Sequence, residues 1–333
     1  MSLNFSFIIP VFNRPSEIHE LLESFVGLGG NIPFEVLIIE DGSSVKSDEV
    51  IEKFKPLLDI KYFFKQNSGP GPSRNYGMQR ASGNYFIILD SDCILPPQYL
   101  IEVEKSLSEN YLDCFGGPDA AHISFTPLQK AINYTMTSFL TTGGIRGKKN
   151  AVQNFEPRSF NMGISKQAFE KSGGFGKIHP GEDPDLSQRL KKLGFKTGLI
   201  ENAFVYHKRR ISWAKFYTQV KKFGMVRPIL TKWHPHSAKI TFWFPTAFVF
   251  FTVFAMLLLF IGSWSLFLIL LFYLFLVLVD SSLKNKNIYI GLLSVYATFI
   301  QFFGYGLAFF KSTFYIRVLN KNPEVCFPHL FFK

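Results

Sequence analysis

The chain has 333 residues, and its 47% hydrophobic content with 39 phenylalanines exceeds what the core of an ordinary soluble domain requires. Its net charge of +11 is local, because residues 1–206 carry 21 Lys/Arg against 23 Asp/Glu, whereas residues 207–239 carry nine Lys/Arg and no acid. Aromatic side chains interleave this basic segment ahead of an apolar run, which favours a membrane surface as partner and argues against nucleic acid.

In the first half of the chain, apolar runs alternate with amphipathic segments. They predict strands at Phe5–Phe12, Glu35–Glu40, Lys61–Lys65 and Tyr85–Asp90, and helices at Pro15–Leu28, Ser47–Leu57 and Pro72–Ala81. This alternating order predicts an α/β fold with a mostly parallel sheet, which binds ligands beyond the carboxyl ends of its strands. The polar groups that follow three of the strands are therefore expected to share one rim: Asn13-Arg14, Asp41–Ser44 and Asp90–Asp92.

Two acidic clusters are candidates for chemistry. Asp90 and Asp92 lie two positions apart at a predicted strand end, where alternate side chains point the same way, so both carboxylates could face one Mg²⁺ or Mn²⁺ ion. An Asp-x-Asp sequence also suits an ordinary turn. Further along, Glu182, Asp183 and Asp185 head a predicted helix, where an Asp183-Pro184 step is equally typical of a helix cap.

The second half contains two long stretches without Asp, Glu, Lys or Arg, Ile240–Val279 and Ile288–Phe310. The first is about twice the roughly 20 residues that cross a bilayer and is interrupted at Gly262–Ser265, which predicts a helical hairpin. The second predicts a further helix, but three crossings would leave the basic tail on the side opposite the basic segment, against the positive-inside tendency. We therefore expect two or three transmembrane helices.

The compartment and the domain boundaries follow from the same patterns. Met1–Pro10 predicts a strand and lacks an export signal, so the first half is expected to be cytoplasmic. The cysteines at 93, 114 and 326 are odd in number and widely spaced, which fits a reducing compartment. The predicted organisation is a cytoplasmic catalytic domain over 1–206, a basic juxtamembrane segment over 207–239, transmembrane helices over 240–310 and a tail over 311–333, in a multi-pass protein of the inner membrane.

Four motifs occur in a characteristic order along the first half: Phe5–Pro15, Val36–Ser44, Gly71–Gly77 and Ile87–Asp92. In this order they resemble the family-two inverting glycosyltransferases of GT-A fold, over residues 5–210. The resemblance implies a nucleotide-sugar donor, commonly a UDP-sugar, and a divalent metal. Because Ser187–Leu190 departs from the Gln-x-x-Arg-Trp motif of processive synthases, single sugar addition is favoured over polymerisation.

The resemblance also implies roles for individual positions. It implies a nucleotide-sugar pocket lined by Pro10, Phe12, Arg14, Asp41, Arg74, Asp90 and Ser91. It implies a metal held by Asp92, with Asp90 and His207 as further ligands, and a contact between Asn161 and the donor or acceptor sugar. It places the catalytic base at Asp183, with Glu182 in support. The ordinary alternatives are packing for Pro10 and Phe12, a surface salt bridge for Arg74, a turn for Asp41, and one more basic residue for His207.

The predicted activity is transfer of one sugar, with inversion, to a hydroxyl of a lipid-linked or other membrane-associated saccharide, as in surface-polysaccharide assembly. Asp183 would take the acceptor proton while the metal stabilises the leaving diphosphate. A polyprenyl-phosphate glycosyltransferase is an alternative, whose phosphate acceptor barely needs a base. A non-enzymatic sugar-nucleotide sensor is another. A nucleotidyltransferase is disfavoured, because its Gly-rich, basic loop does not follow Phe5–Pro10.

Overall fold

The computed structural model describes residues 3–120, 125–142, 156–207 and 212–332, without the side chain of His207. These residues form two compact units. The first contains residues 3–120, 156–207 and 331–332, and the second contains residues 125–142 and 212–330. Neither unit is continuous in sequence, since residues 125–142 belong to the second unit and residues 331–332 belong to the first.

The first unit contains two sheets. Its strands are β1 (Phe5–Val11), β2 (Phe34–Asp41), β3 (Ile60–Lys65), β4 (Tyr85–Leu89), β5 (Cys93–Ile94), β6 (Cys114–Gly116), β7 (Asp119–Ala120), β8 (Asn161–Ser165), β9 (Thr197–Leu199) and β10 (Val205–His207). Among the described residues, the main sheet has the order β3-β2-β1-β4-β8-β6-β9, in which only β8 runs antiparallel to its neighbours. The small sheet has the order β5-β10-β7. The predicted α/β fold with a mostly parallel sheet is confirmed.

Helices cover both faces of the main sheet. They are α1 (Pro15–Val26), α2 (Asp48–Phe54), α3 (Pro70–Met78), α4 (Tyr99–Glu109), α7 (Lys166–Ser172) and α8 (Glu182–Lys192). Two helices that lie between α4 and α7 in the chain, α5 (Pro127–Thr137) and α6 (Phe139–Thr142), belong to the second unit. The predicted helix at Pro72–Ala81 begins two residues earlier. Proline fits the first helical turn, and Gly69 immediately before it has φ of +91°, a conformation that favours glycine.

The core of the first unit lies in two layers because side chains alternate across a strand. Phe7 and Ile9 of β1 pack on the face that carries α1 and α4, where they join Leu21 and Tyr99. Ile8 points to the other face and joins residues of α3 and α8, including Leu186. Each of these side chains is buried, so the strands at the centre of the sheet are held from both sides and their carboxyl ends are positioned rigidly.

The second unit is helical. It continues with α9 (Trp213–Trp233), α10 (Phe244–Phe260), α11 (Ser265–Asn285), α12 (Ile288–Thr313) and α13 (Pro323–Cys326), with 3₁₀ turns at Pro235–Ser237, Ile240–Trp243 and Pro328–Leu330 and a π-helix at Phe314–Val318. The α10–α11 break at residues 261–264 confirms the predicted hairpin. In the part of the chain that the structure describes, three segments are long and apolar enough to cross a membrane: Ile240–Phe260, Ser265–Asn285 and Ile288–Val318.

A buried carboxylate ties the amino-terminal edge of the main sheet together. Glu35 of β2 accepts hydrogen bonds from the Ser6 hydroxyl at 2.6 Å and from the Ser82 main-chain N–H at 2.6 Å, and it pairs with Lys61 at 2.6 Å. Burial alone would raise the pKa of Glu35, but the hydrogen bonds from Lys61, Ser6 and Ser82 outweigh it and lower the pKa to about 2. The ionised form is therefore the one that stabilises the fold.

We expect Glu35→Gln to lower the free energy of unfolding by about 1–3 kcal/mol at neutral pH, because it leaves buried partners unsatisfied. The folded-state pKa lies below the ordinary value, so this stabilisation is present above pH 4.5 and is lost as the pH falls towards 2. Melting temperatures of wild type and variant should converge on acidification. Glu52→Gln is the control, since Glu52 pairs with Lys55 at the surface. A wild-type-to-variant difference that stays constant with pH would contradict this account.

Candidate active site

The rim predicted from the strand order exists, and Asp41 organises one part of it. Asp41 ends β2 and is almost fully buried, at 4% exposure. Its carboxylate accepts the main-chain N–H groups of Ser68 at 2.9 Å and Gly69 at 2.8 Å and pairs with Lys65. The side chain thus holds the loop that leads into α3. Its predicted contact with the nucleotide stays a prediction, and the alternative of a purely local turn is incomplete because the bonds reach residues 24 to 28 positions away.

Arg74 of α3 is the central cation of the site. It is 3% exposed, and its guanidinium pairs with Asp90 at 2.9 Å and with Glu182 at 3.1 Å. Burial works to lower the pKa of Arg74, but the charges of Asp90, Glu182 and Asp183 hold it above its ordinary value. Arg74 is therefore not a surface salt bridge: it joins the carboxyl end of β4 to the head of α8, and its partner Glu182 lies 108 positions away in sequence.

The Asp90–Asp92 segment follows β4 and lies beside Arg14, which follows β1. Arg14 pairs with Asp92 at 2.7 Å, so both carboxylates of the segment contact an arginine. The Asp90 side chain is 34% exposed and the Asp92 side chain 13%, while Ser91 is buried. Within the described part of the chain, no three His, Cys, Asp or Glu side chains form a ready-made cation site. The donor set nevertheless consists of the hard oxygen ligands that Mg²⁺ and Mn²⁺ prefer.

His207 is the remaining predicted metal ligand, and its main chain reaches this segment. It ends β10 and pairs in register with Cys93, the residue that follows Asp92. The small sheet therefore brings position 207 next to the acidic segment. The His207 side chain lies outside the described residues, so its ligation stays a prediction.

The second acidic cluster begins α8. The N-cap position is Gly181, whose φ is +123°, and α8 begins at Glu182. The alternative that Asp183 serves as the helix cap is therefore wrong, because Asp183 lies inside the first turn. Acidic groups at this position also interact favourably with the positive end of the helix dipole.

Glu182 and Asp183 are adjacent in sequence but differ in environment. Glu182 is buried and bonded to Arg74 and to His179 Nδ1 at 2.9 Å. Burial alone would raise its pKa, but the hydrogen bond and charge of His179 and the charge of Arg74 lower the pKa to about 2. At Asp183, burial and then the charge of Glu182 outweigh the lowering effects of Arg74, Arg158 and Ser159 and raise its pKa to about 6. Neighbouring carboxyl groups with divergent pKa values are typical of acid–base sites.

Asp183 also carries a buried acceptor atom. The residue as a whole is half-buried, Ser159 lies near the carboxyl group, and Oδ1 has no hydrogen-bond partner among the described residues. A buried acceptor atom without a partner is uncommon in a folded protein and suits a group that receives a proton from a substrate.

The other predicted residues differ in their surroundings. Phe12 is 51% exposed, so core packing does not explain it, whereas Pro10 is half-buried in β1. Asn161 is fully buried, its amide donates to the Ala203 carbonyl at 2.8 Å, and it accepts from the Tyr99 hydroxyl at 2.6 Å. The amide of Asn161 thus serves the fold, and its contact with a sugar stays a prediction.

Sequence reasoning missed two residues at the site. His179 bonds Glu182, and its position three residues earlier was a signal that could have suggested the contact. Phe332 gave no such signal. Its main-chain N–H donates to the Lys177 carbonyl at 3.0 Å, and its ring lies 5.7 Å from the His179 ring and covers Gly69, where a methyl group would come within 2.3 Å of it. The end of the described chain therefore borders both the Asp41 loop and the Glu182 group.

We expect Arg74→Met to lower the free energy of unfolding of the first unit by about 3–5 kcal/mol, because it leaves buried carboxylates unpaired. At about 2–4 °C per kcal/mol, the melting temperature should fall by at least roughly 6 °C in a thermal-shift measurement. Arg80→Met is the matched control, since Arg80 lies just after α3, is exposed and stacks on Tyr76. Equal melting temperatures for the two variants would show that Arg74 does not hold the carboxylates together.

Solved structures share this fold. The mannosyltransferase PcManGT from Pyrobaculum calidifontis, in complex with GDP-Man and Mn²⁺, superposes with a TM-score of 0.60 at 15% identity over 92% of this chain and 88% of that chain. Staphylococcus aureus TarS 1–349, in complex with UDP-GlcNAc, gives a TM-score of 0.50 at 18% identity over 68% of this chain and 67% of that chain. At such identities the likeness concerns the fold, which is of GT-A type.

Curated relatives match parts of the chain. A chondroitin synthase of Pasteurella multocida is 35% identical over 240 residues, which is 62% of this chain and 25% of that protein. The poly(ribitol-phosphate) beta-N-acetylglucosaminyltransferase TarS of Staphylococcus aureus is 30% identical over 114 residues, 33% of this chain and 20% of that protein. An uncharacterized glycosyltransferase of Rickettsia bellii is 41% identical over 105 residues. The chain spans only 15 to 25% of the length of these relatives.

The family comparison covers the part of the chain that carries the rim. The sequence model described as glycosyl transferase family 2 matches residues 6–173, half of the chain, and includes β1 to β4 with Asp41, Arg74 and the Asp90–Asp92 segment. With the GT-A fold, the carboxylate-rich rim and this match in agreement, the chain belongs to glycosyl transferase family 2.

Proposed function

We propose that this protein is an inverting, metal-dependent glycosyltransferase that moves one sugar from a nucleotide-sugar, a UDP-sugar, to a hydroxyl of a membrane-associated, lipid-linked saccharide. The observation that carries the proposal is the pair Glu182 and Asp183, in which one carboxyl group is held ionised and its neighbour has a pKa raised to about 6. A group with such a pKa is suited to general base catalysis near neutral pH. A hydroxyl acceptor requires such a base, whereas a phosphate acceptor barely does.

The donor side of the proposal rests on the rim. Asp41 and Asp90 would contact the nucleoside, and Pro10, Phe12, Arg14, Arg74 and Ser91 would line the pocket. Arg14 and Arg74 place two guanidinium groups beside the acidic segment, where they neutralise it and orient its carboxylates. The similar proteins TarS and PcManGT, solved with UDP-GlcNAc and with GDP-Man, support a nucleotide-sugar donor.

A divalent cation would be held by Asp92 with Asp90 and His207. When bound, it would neutralise charge on the leaving diphosphate. The similar protein PcManGT was solved with Mn²⁺, which supports this assignment. Asp92 pairs with Arg14, so a bound cation would share the Asp92 carboxylate with this arginine.

On the acceptor side, Asp183 would remove the proton of the attacking hydroxyl. The charge of Glu182 would keep the pKa of Asp183 raised. Glu182 cannot take the proton itself, because Arg74 and His179 favour its charged form. Its fixed negative charge in turn raises the proton affinity of Asp183. Asn161 would contact the donor or acceptor sugar.

The membrane part of the proposal rests on the three long apolar helices and on the basic segment before them. A multi-pass anchor in the inner membrane, with the catalytic unit in the cytoplasm, would bring the site to a lipid-linked acceptor. The relatives that make polymers, such as chondroitin synthase, support a role in glycan synthesis. Single addition is favoured because Ser187–Leu190 departs from the Gln-x-x-Arg-Trp motif of processive synthases.

Asp183→Asn should reduce kcat by about 10²–10⁴-fold, because the amide cannot accept the acceptor proton. In the wild type, kcat/KM should fall about tenfold per pH unit below pH 6, because the raised pKa leaves Asp183 protonated there, and it should level off above pH 7. The measurement is a pH profile of sugar transfer. Asp185→Asn serves as the control, since it removes another carboxylate from the same helical turn. Near-normal turnover of Asp183→Asn would instead favour a polyprenyl-phosphate acceptor.

Purified protein with membrane lipids should release nucleoside diphosphate from one of a panel of nucleotide-sugars, and chelation of divalent cations should abolish the release. Asp92→Ala should lower the rate by about 10²-fold or more and weaken cation binding measured by calorimetry. Asp59→Ala, at an exposed carboxylate, is the control. Wild-type activity in Asp92→Ala would exclude the proposed metal site, and donor binding without any diphosphate release would favour a sensor.

A further inference from the structure

The second unit contains a partly open cavity of about 470 Å³. Its walls come from α5, α6, α9, α10, α11 and α12, together with the turn before α10. Aromatic side chains dominate the lining, among them Phe242, Phe248, Phe302 and Tyr305. The volume falls within the range of pockets that hold small organic ligands.

The cavity is suited to hydrocarbon. Its lining is mostly apolar, so water inside it would find few hydrogen-bond partners. Three of its contributing helices belong to the segments that are long and apolar enough to cross a membrane. In a bilayer, the chains that surround such helices are the natural occupants of an apolar space between them.

One cation contacts the lining. Arg227 of α9 lies over the ring of Phe242, at 4.5 Å from its centroid, and lies near the hydroxyl of Tyr305. Its side chain is half-buried, and no carboxylate among the described residues pairs with it. Other basic residues of the unit differ: Lys284 pairs with Asp280, and Lys221 is exposed. A half-buried guanidinium without a carboxylate favours an external anion, because desolvating an unpaired charge is costly.

We propose that this cavity binds the hydrocarbon chain of a single-chain lipid phosphate of polyprenyl type, with the phosphate held by Arg227. An apolar cavity bordered by one cation matches a ligand with one chain and one anionic end. Guanidinium binds phosphate oxygens through paired hydrogen bonds, and the Tyr305 hydroxyl adds a donor beside it. The inference rests on the proposed function, since it names the lipid that would carry the acceptor saccharide.

The test compares farnesyl phosphate with farnesol, binding to the purified full-length chain in detergent, measured by native mass spectrometry without nucleotide-sugar. Wild type should bind the phosphate about tenfold or more tightly than the alcohol. Arg227→Gln should bring this ratio close to one, because it weakens the binding of farnesyl phosphate and leaves the binding of farnesol unchanged. Lys221→Gln, which removes an exposed charge from the same helix, should leave the ratio unchanged. Arg227→Lys should give an intermediate ratio. All three variants should keep the melting temperature of the wild type.

A second variant tests the cavity itself. Leu140 lines it and is half-buried, so Leu140→Trp should weaken both probes by a similar factor and leave their ratio intact. An unchanged ratio in Arg227→Gln, unchanged binding in Leu140→Trp, or equal competition by dioleoyl phosphatidylglycerol would each overturn the proposal; the last would identify an ordinary bilayer-lipid site. Because no donor is present, failure of sugar transfer and failure of lipid binding are measured separately.

Discussion

The contacts of Arg74 with Asp90 and Glu182 are the interaction on which the rest of the catalytic unit depends. A guanidinium at 3% exposure requires opposite charge, and two carboxylates supply it from elements far apart in sequence. One belongs to the end of β4 and the other to the head of α8. His179 and Arg74 together keep Glu182 ionised, and that fixed charge raises the proton affinity of Asp183. One ion-pair cluster thereby links the segment proposed to hold the donor with the residue proposed to activate the acceptor.

A second set of bonds prepares the nucleotide side. Asp41 holds the main chain at Ser68 and Gly69, and the positive φ of Gly69 turns the chain into α3, the helix that carries Arg74. Phe332 covers Gly69 from outside, which leaves no room for a side chain there. The position of the central arginine is therefore set by a buried carboxylate on one side and by an aromatic ring from the far end of the chain on the other.

The basic residues of the helical unit lie in two different environments. The basic segment suggests a uniform band of positive charge beside a membrane, and its exposed lysines fit that description. Arg227 does not, since it contacts Phe242 and Tyr305 at the edge of an apolar cavity. Close helix packing defines this cavity: a methyl group at Gly224 would come within 2.3 Å of the Tyr305 carbonyl, so α9 and α12 meet almost backbone to backbone.

The sequence by itself determined the strand and helix order of the first half, the placement of Asp41, Asp90 and Asp92 at strand ends, and the helical hairpin around Gly262, because periodicity, chain breaks and uncharged length are local properties of a segment. Only the tertiary structure decided that Arg74 lies between Asp90 and Glu182. It decided that the amide of Asn161 is hydrogen-bonded to Tyr99 and Ala203, and that Phe332 borders the site. It also decided that Gly181, not Asp183, caps α8. These outcomes depend on which side chains meet across long separations, and packing and desolvation select those partners without leaving a spacing in the sequence.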